Sequence, residues 1–173
     1  MIATGLLRDC RVELLNGVVV DRAPEGPEHA YLADTTSKYL ARSLGDRAIV
    51  REGHPITLKG VNDGDDSEPE PDVAVVKPLG SSYRQRHPYG EDVLWLMEYA
   101  DSSVRKDQQT KRSLYAVAGI PEYWLVNLKT RQVIVLREPV DGDYTLEQRY
   151  GEGDIAPLAF PTLSVSVKRL LEG

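Results

Sequence analysis

Two short apolar runs, each with a carboxylate at one end, constrain this chain most. Val93-Leu94-Trp95-Leu96-Met97 is apolar on both faces, which suits a central strand covered from both sides, and Glu98 follows it directly. Burying that acid unpaired would be costly, and Glu98 is expected to close the strand. Val73-Ala74-Val75-Val76 reads as a second buried strand from its β-branched content, and Asp72 stands at its beginning. Two adjacent strands would then bring two carboxylates to one place. Oxygen donors of this kind suit a hard cation such as Mg2+ (or Mn2+), which takes one or two protein carboxylates and leaves its other positions to water and phosphate oxygens.

The stretch after Glu98 supplies a third element. Arg105 to Ala118 reads as a helix stopped by Gly119 and Pro121, with Leu114, Tyr115, Val117 and Ala118 at its buried end. Asp107, Lys111 and Tyr115 recur at four-residue spacing and share one face. From that face a lysine can orient a water, lower its pKa, or neutralise charge developing on a phosphate. The bland alternative is a surface Asp107–Lys111 pair worth about 0.3–0.5 kcal/mol.

Around these pieces the chain alternates strands and helices. Arg11 to Val20 reads as a hairpin turning at Asn16-Gly17, with Glu13 on the same strand face as Leu15. A helix is expected from Pro27 to Leu44, with Ala33, Thr36, Leu40 and Leu44 as its apolar stripe and His29 at the N-terminal end of that stripe. Ala48 to Lys59 reads as extended, with Pro55 at an edge or bend, and residues 77–91 read as an irregular surface loop. Tyr123 to Val126, Val133 to Leu136 and Tyr144 to Tyr150 complete the strands, with Tyr123 and Trp124 in the core and a short basic, Leu-containing segment closing the chain.

With 173 residues the chain fits one domain, 1–173, and 41% hydrophobic with 28% charged residues is ordinary for a globular protein. The longest apolar run is far short of a membrane span and the N-terminus lacks the pattern of a signal peptide, so a cytoplasmic protein is expected. The single cysteine, Cys10, excludes an internal disulfide and a Cys-rich zinc site. A net charge of −6 argues against a protein that coats nucleic acid by bulk attraction. Much of the acid is local, at Asp63, Asp65, Asp66, Glu68, Glu70 and Asp72, and reads most simply as a solvated loop. Basic residues cluster elsewhere, at Arg84, Arg86 and His87 and again at Arg105, Lys106, Lys111 and Arg112.

Three stretches together carry a resemblance: Val12-Glu13-Leu14-Leu15-Asn16-Gly17, Pro71-Asp72-Val73-Ala74-Val75-Val76, and Asp107 through Lys111 and Tyr115 to Ala118-Gly119-Ile120-Pro121-Glu122-Tyr123-Trp124. In these the chain resembles the Uma-type restriction endonuclease family of the PD-(D/E)XK, or restriction endonuclease-like, superfamily, over about Arg11 to Leu136. The resemblance implies an α/β (α+β) fold with an αβββαβ core, a mixed sheet flanked by helices, and a magnesium-dependent endonuclease site. It assigns Pro71-Asp72 to the PD element and Glu98 to the second acid. The lysine usual two residues after that acid is missing, since Ala100 stands there, and Lys111 on the following helix replaces it. By the same resemblance Glu13 is an early acid that helps hold the metal or its waters, His29 is a supporting residue, and Asp107 orients Lys111. Nucleic acid, with DNA expected ahead of RNA, is the implied substrate, and a homodimer follows by analogy with double-strand cutters. The alternative is a nuclease fold kept as a binding or assembly module with its site idle. A weaker third reading is a small-molecule phosphodiesterase using the same metal chemistry.

Overall fold

The computed structural model describes residues 12–22, 24–60, 66–100 and 105–173, with side chains of the last stretch from Gln109 onward. The hairpin forms as expected: β1 (Val12–Leu15) pairs with β2 (Val18–Asp21), and Asn16 and Gly17 both take positive φ, the geometry of the tight turn that Asn-Gly favours. Helix α1 (Pro27–Leu44) opens with proline in its first turn and closes at Gly45. Leu32, Ala33, Thr36, Ser37, Leu40 and Leu44 form its buried face.

The central sheet has six strands in the order β3 (Ile49–Glu52), β4 (Val73–Val76), β5 (Val93–Ala100), β6 (Glu122–Asn127), β7 (Gln132–Val140) and β8 (Asp143–Tyr150). Only β5 and β6 pair in parallel, so the sheet is mixed. A parallel pair needs a crossover, and α2 (Arg105–Val117) supplies it. From α1 to β6 the elements follow the αβββαβ order. Beyond β8, β9 (Asp154–Ile155) pairs with β10 (Val165–Ser166) and leads to α3 (Val167–Glu172), the helix formed by the basic closing segment.

Strand alternation divides the core between two faces. Val73, Val75, Trp95, Met97 and Tyr99 pack beneath α1 with Leu32, Leu40 and Leu44, and α3 adds Leu170 and Leu171. Ala74, Val76, Leu96, Tyr123 and Leu136 face the other way, against Leu114 and Tyr115 of α2 and Leu15 of the hairpin. Expectation and structure differ in three places. The strand begun at Val93 does not stop at Glu98 but continues to Ala100, because Tyr99 and Ala100 still pair with Val126 and Asn127 of β6. The loop at 77–91 holds two short 3-10 turns, Gly80–Arg84 and Gly90–Asp92. The acidic stretch is less solvated than expected: Glu68 exchanges backbone hydrogen bonds with Leu14, while Pro69, Pro71 and Asp72 are buried. Asp63, Asp65 and Cys10 lie outside the described residues.

Glu122, at the start of β6, is completely buried yet fully partnered. Its Oε1 accepts from Trp124 Nε1 at 2.8 Å and from Arg137 Nε and Nη2 at 2.8 and 2.6 Å, while Oε2 accepts from Leu158 N at 2.7 Å. One carboxylate thus ties β6, β7 and the segment after β9 together, as buried charges require.

Candidate active site

Because β4 and β5 are antiparallel with Val73 opposite Met97, the residue before Val73 lies beside those that follow Met97. Asp72 therefore reaches across, and its Oδ2 accepts from Tyr99 N at 2.7 Å. Its Oδ1 accepts from Arg22 Nη2 at 2.9 Å. His29, in the first turn of α1, brings Nε2 to 2.9 Å from Oδ2, an ion-pair distance when the ring is protonated, although the ring nitrogen is not aligned as a good hydrogen bond. Burial alone would raise the Asp72 pKa, but His29, the Tyr99 amide and Arg22 outweigh it and hold the carboxyl below its ordinary value. The same pairing acts in reverse on His29: burial disfavours its charge, Asp72 more than offsets this, and the imidazole pKa is raised.

Glu98 lies inside β5 on the α2 side of the sheet, in register with Leu125 of β6. Its Oε1 accepts from Tyr115 Oη at 2.7 Å and from Lys111 Nζ at 3.2 Å, and Oε2 accepts from the same ammonium at 3.3 Å. Lys111 and Tyr115 are four residues apart on α2, so one helix face delivers both. The hairpin closes the site from above, with Glu13 Oε1 2.9 Å from Lys111 Nζ and also accepting from Glu70 N at 3.1 Å. Glu13, Asp72, Glu98 and Lys111 are all buried. Burial pushes Glu98 up to about 7; Lys111 pulls it down, while Asp72 and Glu13 add to the rise.

Of the residues expected from the sequence, Glu13, Glu98 and Lys111 come into direct contact, and Asp72 and His29 form a second pair within electrostatic reach of Glu98. Asp107 lies on α2, but its side chain is outside the described residues. Among the described residues no group of three His, Cys, Asp or Glu is arranged to hold a metal ion. The donor chemistry nevertheless fits a hard cation: Asp72 is held anionic, Glu98 and Glu13 supply further carboxylate oxygens around Lys111, and magnesium requires only one or two protein carboxylates.

Two participants escaped the sequence reading. By spacing Tyr115 reads only as a core residue on the Lys111 face, whereas its hydroxyl holds Glu98. Arg22 carried no spacing signal, because it reaches residues 48 and 50 positions away. Arg86 and Arg112, of the two basic clusters, are occupied by acids of their own chain. Arg86 pairs with Asp92 at 2.6 Å and stacks 4.1 Å over Tyr89, and Arg112 pairs with Asp143 and Glu147 at 2.6 and 2.8 Å.

A crystal structure from Anabaena variabilis, titled as "a putative nuclease belonging to DUF820", superposes with a TM-score of 0.71 over 92% of this chain and 89% of its own, at 16% identity, a likeness of fold. A search of curated proteins returns no match. The model of the Uma2 family, described as "Putative restriction endonuclease", matches residues 5–168, which span the hairpin, both carboxylate-bearing strands and the lysine helix. The chain therefore belongs to the Uma2 family of restriction endonuclease-like, nuclease-type proteins.

Proposed function

We propose that this protein is a divalent-metal-dependent endonuclease that hydrolyses phosphodiester bonds, with DNA as its substrate and Mg2+ or Mn2+ as its cofactor. The observation that carries the reading is Lys111 Nζ, buried between Glu98 and Glu13 with Asp72 close by, in a chain of this family. Asp72 and Glu98 would hold the ion, with Glu13 at its waters. Such an ion would supply Lewis-acid polarisation of the phosphoryl oxygen and would acidify a water for in-line attack on phosphorus.

The protein's own groups do the rest. His29 and the Tyr99 amide fix the Asp72 carboxylate, and Tyr115 fixes that of Glu98, so that both are pre-oriented. Lys111, supplied with no freedom to swing by two acids and a helix, orients the attacking water and offsets the negative charge that grows on phosphate. A homodimer would present two such sites, one for each strand of a duplex.

Purified protein with MgCl2 or MnCl2 is expected to cleave DNA, and Asp72→Ala and Lys111→Ala are each expected to lower the rate by about 100-fold or more. Equal cleavage by parent and variants would reveal a contaminant and end the proposal. A second reading, an idle nuclease fold used for binding or assembly, is favoured by the acidic net charge and by the pairing of Arg86 and Arg112 with acids of their own chain. Titration calorimetry with MnCl2 separates the two, since an idle site gives no heat that depends on Asp72 and Glu98.

A further inference from the structure

Arg22 occupies an Asp72 oxygen that metal binding would call on. It follows β2 directly, and its side chain is 12% exposed. Nη2 lies 2.9 Å from Asp72 Oδ1 and 3.1 Å from Glu25 Oε1, Nη1 lies 3.1 Å from Glu70 Oε2, and Nε lies 3.9 Å from Glu13 Oε1. A single delocalised charge therefore stands among four carboxylates and takes the Asp72 oxygen that a cation would need. The acids are spread around a flat guanidinium instead of converging on a point, so no three of the described donors form a metal cluster.

We propose that Arg22 is a resident counter-cation which a divalent ion displaces from Asp72, so that the guanidinium sets the metal affinity of the site. The inference rests on the metal-dependent reading above. Displacement has a ready destination: Glu25 and Glu70 are more exposed than Asp72, at 20% and 31% against 4%, and they keep the guanidinium paired at the rim after it leaves Oδ1. Guanidinium is weakly hydrated and tolerates such half-buried pairing better than an ammonium. Lys111 differs, since two buried acids and a helix hold it in place. With the ion absent, Arg22 keeps Asp72 compensated. With the ion present, it stands at the rim of the site as a positive group facing incoming phosphate.

The test is calorimetric titration of the full chain with MnCl2 alone, comparing the parent with Arg22→Met and Arg22→Lys. Arg22→Met is expected to bind Mn2+ about tenfold tighter or more, the scale of one charge-assisted hydrogen bond released from competition. Arg22→Lys, which keeps the charge but loses the planar grip, is expected to fall between the two. In EDTA, Arg22→Met is expected to melt below the parent and to regain the difference when Mn2+ is added. Should Arg22→Met not fold, Arg22→Lys decides alone, because binding equal to or weaker than the parent's overturns the proposal. Parent binding that needs Asp72 but is unchanged or weakened in both Arg22 variants overturns the displacement role and leaves the nuclease reading standing. No binding by parent or variants removes both.

Discussion

Replacing Glu122 with Gln removes a single charge from a completely buried position and should destabilise the protein strongly. Four donors converge on that carboxylate: Trp124 Nε1 and Arg137 Nε and Nη2 on one oxygen, Leu158 N on the other. A glutamine has only one acceptor oxygen. If it faces Trp124 and Arg137, its amide NH2 meets the Leu158 N–H, donor against donor; if it is flipped, NH2 meets the guanidinium instead. Arg137 then keeps only Ala156 O, at 2.7 Å, as an acceptor among the described residues. Removing one partner of a buried pair costs about 3–5 kcal/mol. For a domain of this size each kcal/mol lowers Tm by about 2–4 °C, so a fall of about 6–20 °C is expected. Urea unfolding of the parent, Glu122→Gln, Arg137→Met and the double variant provides the assay. The double variant should lose clearly less than the sum of the singles, because neither charge is then stranded. A Glu122→Gln protein within about 1 kcal/mol of the parent, or strictly additive losses, would refute the reasoning.

Glu98 should give a pH signature. Its folded pKa is raised from 4.5 to about 7, so the folded state binds the extra proton between those values. Stability contributed at this residue is therefore lost as pH rises through that window, and in EDTA Glu98→Gln should gain on the parent between pH 4.5 and pH 7. An identical urea-midpoint difference at pH 5 and pH 8 would contradict the assignment. Leu40, completely buried at the centre of the α1 face, tests the packing of that helix on the sheet: Leu40→Ala should cost about 2–5 kcal/mol, and a loss under about 1 kcal/mol would mean that α1 is not part of the main core.

Local patterns made much of the fold legible. Asn16-Gly17 announced its turn, Pro27 and the stripe through Leu44 announced α1, and the two apolar runs announced β4 and β5, because each rests on neighbours within a few residues. The end of β5 was misplaced for a physical reason. An acid after an apolar run reads as a strand end, yet Glu98 stays within the strand because Lys111 and Tyr115 come down from α2 to meet it. The acids and the lysine of the candidate site were readable from residue type and from the family pattern. Arg22 and the second role of Tyr115 were not, since their partners are brought close only by tertiary folding. Glu122 was visible as a residue of the Pro121-Glu122-Tyr123-Trp124 segment, but not as the acceptor that satisfies the Trp124 indole.

The contact between Lys111 and Glu13 joins residues 98 positions apart, and that between Arg22 and Asp72 joins residues 50 apart. Closing loops of this length is entropically slow and is rewarded only when the pieces dock. The hairpin that carries Glu13 cannot complete the site before α2 has crossed over the sheet and presented Lys111. A half-folded chain accordingly holds its acids and its lysine in separate places, and the assembled site comes into being only with the finished tertiary structure.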